Sequence, residues 1–140
     1  IHELLPHTPP MVLLDAVTAW DWPTATCTLT LRDDSPFVVD GQVPAVISIE
    51  YMAQTVGTYV GLWRRERGLA PKIGFLLGSR QFNLHVDAFR VGETLRVEAT
   101  YLFGEEQIGS FTCRTLRGDE VVADATVNVF QGDLPEFGDL

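Results

Sequence analysis

The chain has 140 residues and a net charge of −9, from 10 lysines and arginines against 19 aspartates and glutamates. This acidic balance argues against nucleic acid or an anionic membrane surface as the main partner, because overall electrostatic repulsion would oppose such binding. Hydrophobic residues make up 46% and charged residues 21%, so we expect one folded domain over residues 1–140 and not a disordered chain.

Most of the chain has the alternating apolar and polar pattern of half-buried β-strands. In the clearest example, Ala25, Cys27 and Leu29 alternate with threonines. In chain order, the predicted strands lie near residues 11–20, 24–32, 73–82, 94–101, 107–116 and 121–130. Turns are expected at Gly104 and Gly118. Such regular alternation predicts an antiparallel sheet with one covered face.

Between the second and third predicted strands, residues 44–63 are mostly apolar and long enough to cross a bilayer. Glu50 and Gln54 lie inside this stretch, and a charge at the centre of a membrane span costs about 2.5–3.5 kcal/mol. The sequence therefore predicts a buried helix, with no membrane span.

The predicted helix runs from near Pro44 to near Arg67. Pro44 suits a first-turn position, where a missing N–H group costs nothing, and Gly68 supplies the stop signal. One long apolar helix among about six strands indicates an α+β protein whose sheet is wrapped around that helix. Residues 131–140 are expected to form an acidic, poorly ordered tail.

The cysteines and histidines indicate no metal or disulfide chemistry. Cys27 and Cys113 are far apart in sequence, and free thiols in a reducing cytoplasm are the simplest interpretation, so we expect a cytoplasmic protein. His2, His7 and His85 lack metal-ligand spacing, and His85 lies at a predicted turn. No nucleotide-binding motif is present either, so we expect neither a metal nor a cofactor.

Glu50 is the most informative residue in the sequence. It is the only charged side chain between Asp40 and Arg64, and its helical neighbours Val46 and Ala53 are apolar. Because glutamate is rarely buried without a partner, its position needs a reason. One hypothesis is a carboxyl group held in a dry cleft as a general acid or base. The alternative is a glutamate that faces a solvent gap or pairs with an arginine.

Half of the cations fall in one short part of the acidic chain. This basic group consists of Arg64, Arg65, Arg67, Lys72 and Arg80. It can be interpreted as a docking site for an acidic partner or a phosphate-bearing carrier. Equally, it can be a solvated helix end whose cations interact favourably with the helix dipole.

Several segments in this order resemble the hotdog-fold 3-hydroxyacyl-[acyl-carrier-protein] dehydratases. LLPHTPPMVLLDAV is similar to the opening segment of that family, and PAVISIEYMAQ is similar to its central-helix motif. GFLLGSRQF and VGETLRVEA are similar to two later strands. More narrowly, DSPFVVDGQVPA and IEYMAQ resemble the dehydratase-like proteins of aryl-polyene lipid gene clusters.

The resemblance implies a hotdog fold and the dehydration of 3-hydroxyacyl thioesters to 2-enoyl thioesters in fatty-acid or aryl-polyene type lipid biosynthesis. It implies a substrate carried by acyl carrier protein or coenzyme A, and a homodimer or a heterodimer with a related hotdog subunit. Glu50 would be the catalytic acid or base, reaching across the dimer interface. The residues implied to bind substrate, in part through backbone N–H groups that stabilise the thioester oxygen, are Val43, Pro44, Ala45, Val46, Gln54 and Gly78.

One departure from the family concerns its catalytic histidine. The histidine position of the family, 14 residues before Glu50, holds Pro36 in this chain. His7, in the family's LPH segment, is then the best replacement base. Three hypotheses follow: a dehydratase that uses Glu50 and His7, a hotdog thioesterase that uses a single helix carboxylate, and a non-catalytic carrier-binding subunit that pairs with an active homologue.

Overall fold

A computed structural model describes residues 12–70, 75–105 and 108–130, with residues 75–77 and 105 described by their backbone alone. The strands are β1 (Ala16–Asp21), β2 (Thr24–Thr30), β3 (Gln42–Pro44), β4 (Phe75–Leu84), β5 (Ala88–Arg90), β6 (Thr94–Glu105), β7 (Ile108–Arg117) and β8 (Glu120–Phe130). Helix α1 (Ser48–Glu66) follows one turn of 3-10 helix at Ala45–Ile47. The predicted tail, residues 131–140, lies outside the described residues.

Six strands form one antiparallel sheet in the order β1-β2-β6-β7-β8-β4, and β3 pairs with β5 separately. Within the described chain, β1 and β4 are the two edges of the large sheet. Helix α1 packs against one face of this sheet, with contacts to β2, β6, β7, β8 and β4. The predicted α+β hotdog architecture, with about six strands around one long helix, is confirmed.

The alternating pattern covers one face of the sheet, as predicted. Ala25 pairs with Ala99 and Cys27 pairs with Val97, and all four side chains are fully buried against the helix side. The threonines between them lie on the outer face, where hydroxyl groups of neighbouring strands form hydrogen bonds such as Thr24–Thr100 at 2.9 Å. Burying this apolar face provides the main stabilisation of the sheet.

The helix begins later than the sequence predicted. Pro44 has an extended backbone (φ −56°, ψ 136°) and pairs with Ala88 in the β3–β5 ladder. The next N–H group, that of Ala45, donates to the Asp87 carbonyl at 2.9 Å. The β5 segment therefore holds these residues in a strand and a short 3-10 turn, and α-helical geometry starts at Ser48.

Gly68 ends the helix, as predicted. Its φ of 70° is the left-handed conformation that glycine adopts readily. The N–H of Gly68 donates to the Arg65 carbonyl at 3.1 Å, and the N–H of Leu69 donates to the Arg64 carbonyl at 2.9 Å. This pair of bonds is the Schellman motif, which satisfies carbonyls at the end of a helix.

Of the two predicted turns, the one at Gly118 is present and the one at Gly104 is not. Gly118, with φ of 61°, lies in the turn between β7 and β8, as predicted. Gly104 lies inside β6 instead, where it pairs with Gly109 of β7. The prediction of a turn at Gly104 is therefore wrong, because cross-strand pairing with β7 continues beyond it to Glu105.

The C-terminal half of α1 packs into an aromatic cluster around Tyr59. The Tyr59 ring meets Trp22 edge to face at 4.7 Å between centroids and Phe111 at 5.1 Å. At the end of the helix, the Glu66 carboxylate accepts hydrogen bonds from the indole N–H groups of Trp20 (3.1 Å) and Trp22 (2.9 Å). These contacts connect the helix end to the β1–β2 hairpin.

Candidate functional site

Glu50 lies in the first turn of α1 and is half-buried in the single chain. The N-terminus of a helix carries partial positive charge, so this position favours a carboxylate. Val46 precedes Glu50 by four residues and has a half-exposed side chain (52%). Glu50 is the third residue of α1, so its carboxyl group lies near the start of the helix.

Four predicted substrate-binding residues lie at the helix start, Val43 to Val46, and the structure reduces the number of their N–H groups that can bind a substrate. Pro44 has no N–H group, and the N–H of Ala45 already donates to the Asp87 carbonyl. Val43 is buried in β3, where it pairs with Phe89. The first N–H groups of a helix have no acceptor within the helix, which makes Val46 the best placed of the four residues to bind a substrate oxygen.

A cavity of about 370 Å³ opens beside this helix start. One wall is the segment from Pro44 to Val46, so the cavity contains three of the predicted substrate-binding residues. The opposite wall is the segment from Leu84 to Asp87, which follows β4. The pairing of β3 with β5 brings these two segments together.

A second cavity, of about 180 Å³, lies beside Pro36 at the position of the family's histidine. Tyr51, the residue after Glu50, also lines it. Burial raises the pKa of Tyr51 to about 12, so its phenol is neutral near pH 7. His7, the predicted replacement base, lies outside the described residues.

Gln54 has a role in the fold that the sequence did not predict. Its side chain is fully buried, and its Oε1 atom accepts a hydrogen bond of 2.8 Å from the Leu13 backbone N–H. Its backbone carbonyl also accepts a bond from the Thr58 hydroxyl at 2.9 Å. In this chain, Gln54 therefore positions the segment that enters β1.

Gly78 lies in β4 opposite Asn128, where the register of the β4–β8 ladder shifts. Apart from its chain neighbours, a Cβ atom at this glycine would meet no atom of the described residues within 4 Å. The space beside Gly78 is therefore open in the single chain, as a position next to a substrate or a partner subunit would require.

The basic group does not form one surface. The Arg64 side chain is only 5% exposed, and its Nε atom donates to the Ala70 carbonyl at 2.6 Å. The prediction that Arg64 is a docking residue is wrong, because its guanidinium group is buried and bound to the Ala70 carbonyl after the helix end. Arg67 lies 4.0 Å above the Trp63 ring and donates to the Trp63 carbonyl. Arg65 is exposed.

Of the other two predicted docking residues, the structure describes only Arg80. Arg80 is exposed in the middle of β4, where it pairs with Thr126 of β8. Lys72 lies outside the described residues. Two described cations at the end of α1 therefore remain as candidates for docking. Arg65 is exposed, and Arg67 lies on the Trp63 ring.

Sequence reasoning missed a histidine–carboxylate pair. The Nε2 atom of His85 lies 2.8 Å from Oδ2 of Asp124, and the Asn83 amide donates to Oδ1 at 2.9 Å. These hydrogen bonds, first that of Asn83 and then that of His85, lower the pKa of Asp124. The spacing of Asn83 and His85 indicates a shared face of one strand, but Asp124 is 39 residues away and only the β4–β8 pairing reveals the contact.

The comparisons with known proteins decide the family. The ApeP-like family, described as ApeP dehydratase, matches residues 1–139. The chain belongs to this family. It is also similar to a chain of the dehydratase heterocomplex ApeI:P from Xenorhabdus doucetiae, with 34% identity and a TM-score of 0.89 over 94% of this chain and 90% of that one. The resemblance to the aryl-polyene dehydratase-like branch, and with it a dehydratase function, is confirmed.

More distant structures share the fold alone. Cj0977 from Campylobacter jejuni is 16% identical, with a TM-score of 0.69 over 95% of both chains. A hypothetical thioesterase with coenzyme A from Streptococcus pneumoniae is 13% identical, with a TM-score of 0.64 over 84% of this chain and 87% of that one.

Two further observations concern the described part of the chain. No helix there is long and apolar enough to cross a membrane. Its histidines, cysteines and carboxylates do not come together in groups of three or more that could hold a metal ion.

Proposed function

We propose that this chain dehydrates 3-hydroxyacyl thioesters to 2-enoyl thioesters in aryl-polyene or fatty-acid type lipid biosynthesis, with Glu50 as a catalytic acid or base. Membership of a dehydratase family supports the reaction type. The observation that carries the role of Glu50 is its place in the first turn of α1, one turn from the cavity beside Val46.

The chemistry defines what the site must supply. A base takes the C2 proton, the electron pair of that bond forms the C2=C3 double bond, and the C3 hydroxyl leaves as water after receiving a proton from an acid. Negative charge develops on the thioester oxygen as the C2 proton leaves. The N–H of Val46 at the helix start is suited to stabilise this oxygen, and Glu50 supplies one of the two proton transfers.

A second catalytic group is still required. His7 remains the sequence-based proposal for this group. Pro36, in place of the family's histidine, favours a second candidate function, in which the chain is a carrier-binding subunit and an active homologue supplies the histidine.

The chain is proposed to act as a hotdog dimer, either a homodimer or a heterodimer with a related subunit. The open edge of the ten-residue strand β4 supports this proposal, because an unpaired strand edge can continue a sheet into a second protomer. A known relative forms a heterocomplex, ApeI:P. Glu50 would then reach a substrate at the interface.

The substrate is proposed to arrive on an acyl carrier protein, with coenzyme A thioesters as the alternative. Arg65 and Arg67 at the end of α1, together with Arg80 and Lys72, remain the proposed docking residues. The proposed location is the cytoplasm. Two free, buried cysteines, Cys27 and Cys113, suit a reducing compartment.

Mass analysis of a 3-hydroxyacyl carrier protein incubated with the chain, alone and with a co-expressed hotdog partner, tests the proposal. Loss of one water, giving the enoyl thioester, is the expected result. Release of free acid would indicate a thioesterase. An unchanged substrate in both incubations would indicate a non-catalytic subunit.

A further inference from the structure

We propose that His85, bound to Asp124, is the imidazole of the dehydration site and takes the C2 proton of the substrate. This inference rests on the proposed function and adds its second catalytic group. It does so with a residue that lies outside the LPH segment and outside the family's histidine position.

The first support is the place of His85 in the fold. His85 lines the cavity of about 370 Å³ whose opposite wall is the helix start from Pro44 to Val46. The His85 N–H donates to the Val122 carbonyl at 2.9 Å, which continues the β4–β8 pairing up to the mouth of this cavity. The residue is therefore held at a defined position facing the helix start.

The second support is the pair itself. Asp124 accepts two hydrogen bonds, one from Asn83 at 2.9 Å and one from the His85 ring at 2.8 Å, so both carboxylate oxygens have partners. A carboxylate bound at Nε2 favours the tautomer with its proton on that nitrogen. Nδ1 then carries the lone pair and can accept a proton. His85 is 48% exposed, so a substrate in the cavity can reach this ring in the single chain.

The third support is the proximity of the cavity to Glu50. Val46 forms part of the cavity wall, and Glu50 follows four residues later, in the first turn of α1. The cavity is therefore lined by an imidazole and by Val46 with its backbone N–H, and the Glu50 carboxyl group follows in the first turn of α1. This is the set of groups that the dehydration requires.

The proton transfers balance as follows. Nδ1 of His85 takes the C2 proton, and the electrons of that C–H bond form the C2=C3 double bond. The C3–O bond breaks, and the leaving oxygen takes a proton from the protonated Glu50 carboxyl group and departs as water. One proton has then moved from Glu50 to His85, and its return through solvent restores the starting state.

Other charged residues lie near His85 in sequence or near Asp124 in strand register. Asp87 follows His85 in the same bend, and Arg80 precedes it on β4. Arg114 of β7 lies opposite Asp124, and the Arg114 guanidinium is bound to Glu98. Asp124 is therefore the acidic group in direct contact with the imidazole among the described residues.

The test compares His85→Gln and Asp124→Asn with the unmodified protein in its native assembly, on a 3-hydroxyacyl pantetheine thioester. We expect kcat to fall about 10²–10⁴-fold in His85→Gln. Asp124→Asn should give a smaller loss in the same direction. Thr126→Val, two residues along the same strand as Asp124, is the matched control and should keep full activity.

A second readout does not depend on turnover. The His85 ring signals in an NMR titration should shift when an inert amide analogue of the substrate binds, and Asp124→Asn should change that response. Unchanged kcat in a folded His85→Gln variant would overturn the proposal, and so would a loss confined to KM. Inactivity of the unmodified assembly would instead contradict the proposed function.

Discussion

The two ends of helix α1 differ in what surrounds them among the described residues. At the C-terminal end, the carbonyls of Arg64 and Arg65 accept bonds from the following residues, and Glu66 accepts bonds from two indoles. At the N-terminal end, Glu50 is half-buried and Val46 is exposed beside a cavity. In the described residues, one helix thus combines an end that is bound to the β1–β2 hairpin with an end that borders a cavity.

Two kinds of side chain are buried along the helix. Aromatic rings, such as those of Tyr51 and Tyr59, make large apolar contacts and need few polar partners. The N-terminal half buries polar groups that bind other parts of the chain, such as Ser48 to Thr115 at 2.7 Å and Gln54 to Leu13. Such bonds fix the position of neighbouring segments, which a precisely built site requires.

The sharpest test of this contrast substitutes a glutamate at each end. Glu50→Gln should reduce the rate of dehydration about 10²–10⁴-fold, the scale of a lost general acid or base, with little change in Tm. Glu66→Gln is the matched control on the same helix and should keep full activity per folded molecule. Equal activity losses in the two variants, measured with equal folded fractions by circular dichroism, would contradict the contrast.

The largest effect on stability is expected at Tyr59, in the C-terminal half. Tyr59→Ala should lower the free energy of unfolding by about 3–5 kcal/mol, because the ring is fully buried among Trp22 and Phe111. Urea denaturation measures this loss. Tyr59→Phe separates the ring from the hydroxyl group, which is buried without a hydrogen-bond partner among the described residues. Stability equal to or above that of the unmodified protein is expected for Tyr59→Phe.

Glu66→Gln should also have a smaller effect of its own, on stability. The amide oxygen can accept one of the two indole bonds but carries no charge, so we expect a loss of about 0.5–1.5 kcal/mol. Trp20→Phe removes one of the same bonds and should give a loss of similar size. If the loss in the free energy of unfolding of the double variant equals the sum of the two single losses, Glu66 and Trp20 do not interact. Their contact at the helix end then contributes nothing to stability.

The smallest expected effect concerns docking. Arg65→Glu should raise KM for a carrier-bound substrate several-fold at low salt, and the difference should shrink as salt screens the charges. KM for a pantetheine substrate should stay unchanged. Arg96→Glu, a charge reversal at a partly exposed arginine on β6, serves as the control. A similar KM increase in both variants would mean that net charge, and not the end of α1, governs docking.

Local patterns in the sequence predicted most of the fold. The alternation around Cys27 predicted one face of a strand, and Gly68 predicted the end of the helix. The errors occur where distant pairing overrides local preference. The local sequence predicts Pro44 as a helix residue, but the β3–β5 ladder places it in a strand. The pairing of His85 with Asp124 depends on two strands that are far apart in sequence.

The burial of Arg64 could not be predicted for a related reason. In sequence, three arginines near a helix end indicate a charged, solvated surface. Only the path of the chain after Gly68 places the Ala70 carbonyl within 2.6 Å of the Arg64 Nε atom. The chemistry of the family was predictable because its motif surrounds Glu50 locally, whereas His85, the proposed second catalytic group, meets Asp124 through a long-range contact.

The Glu66 contact with two indoles has an optical consequence. All three tryptophans of the chain lie at the same end of the molecule, because Trp63 occupies the last turns of α1 and Trp20 and Trp22 bind Glu66. The intrinsic fluorescence of this chain therefore reports on the C-terminal end of α1 and not on the cavity at the start of the helix. A change in emission when substrate is added would mean that the C-terminal end of α1 has moved.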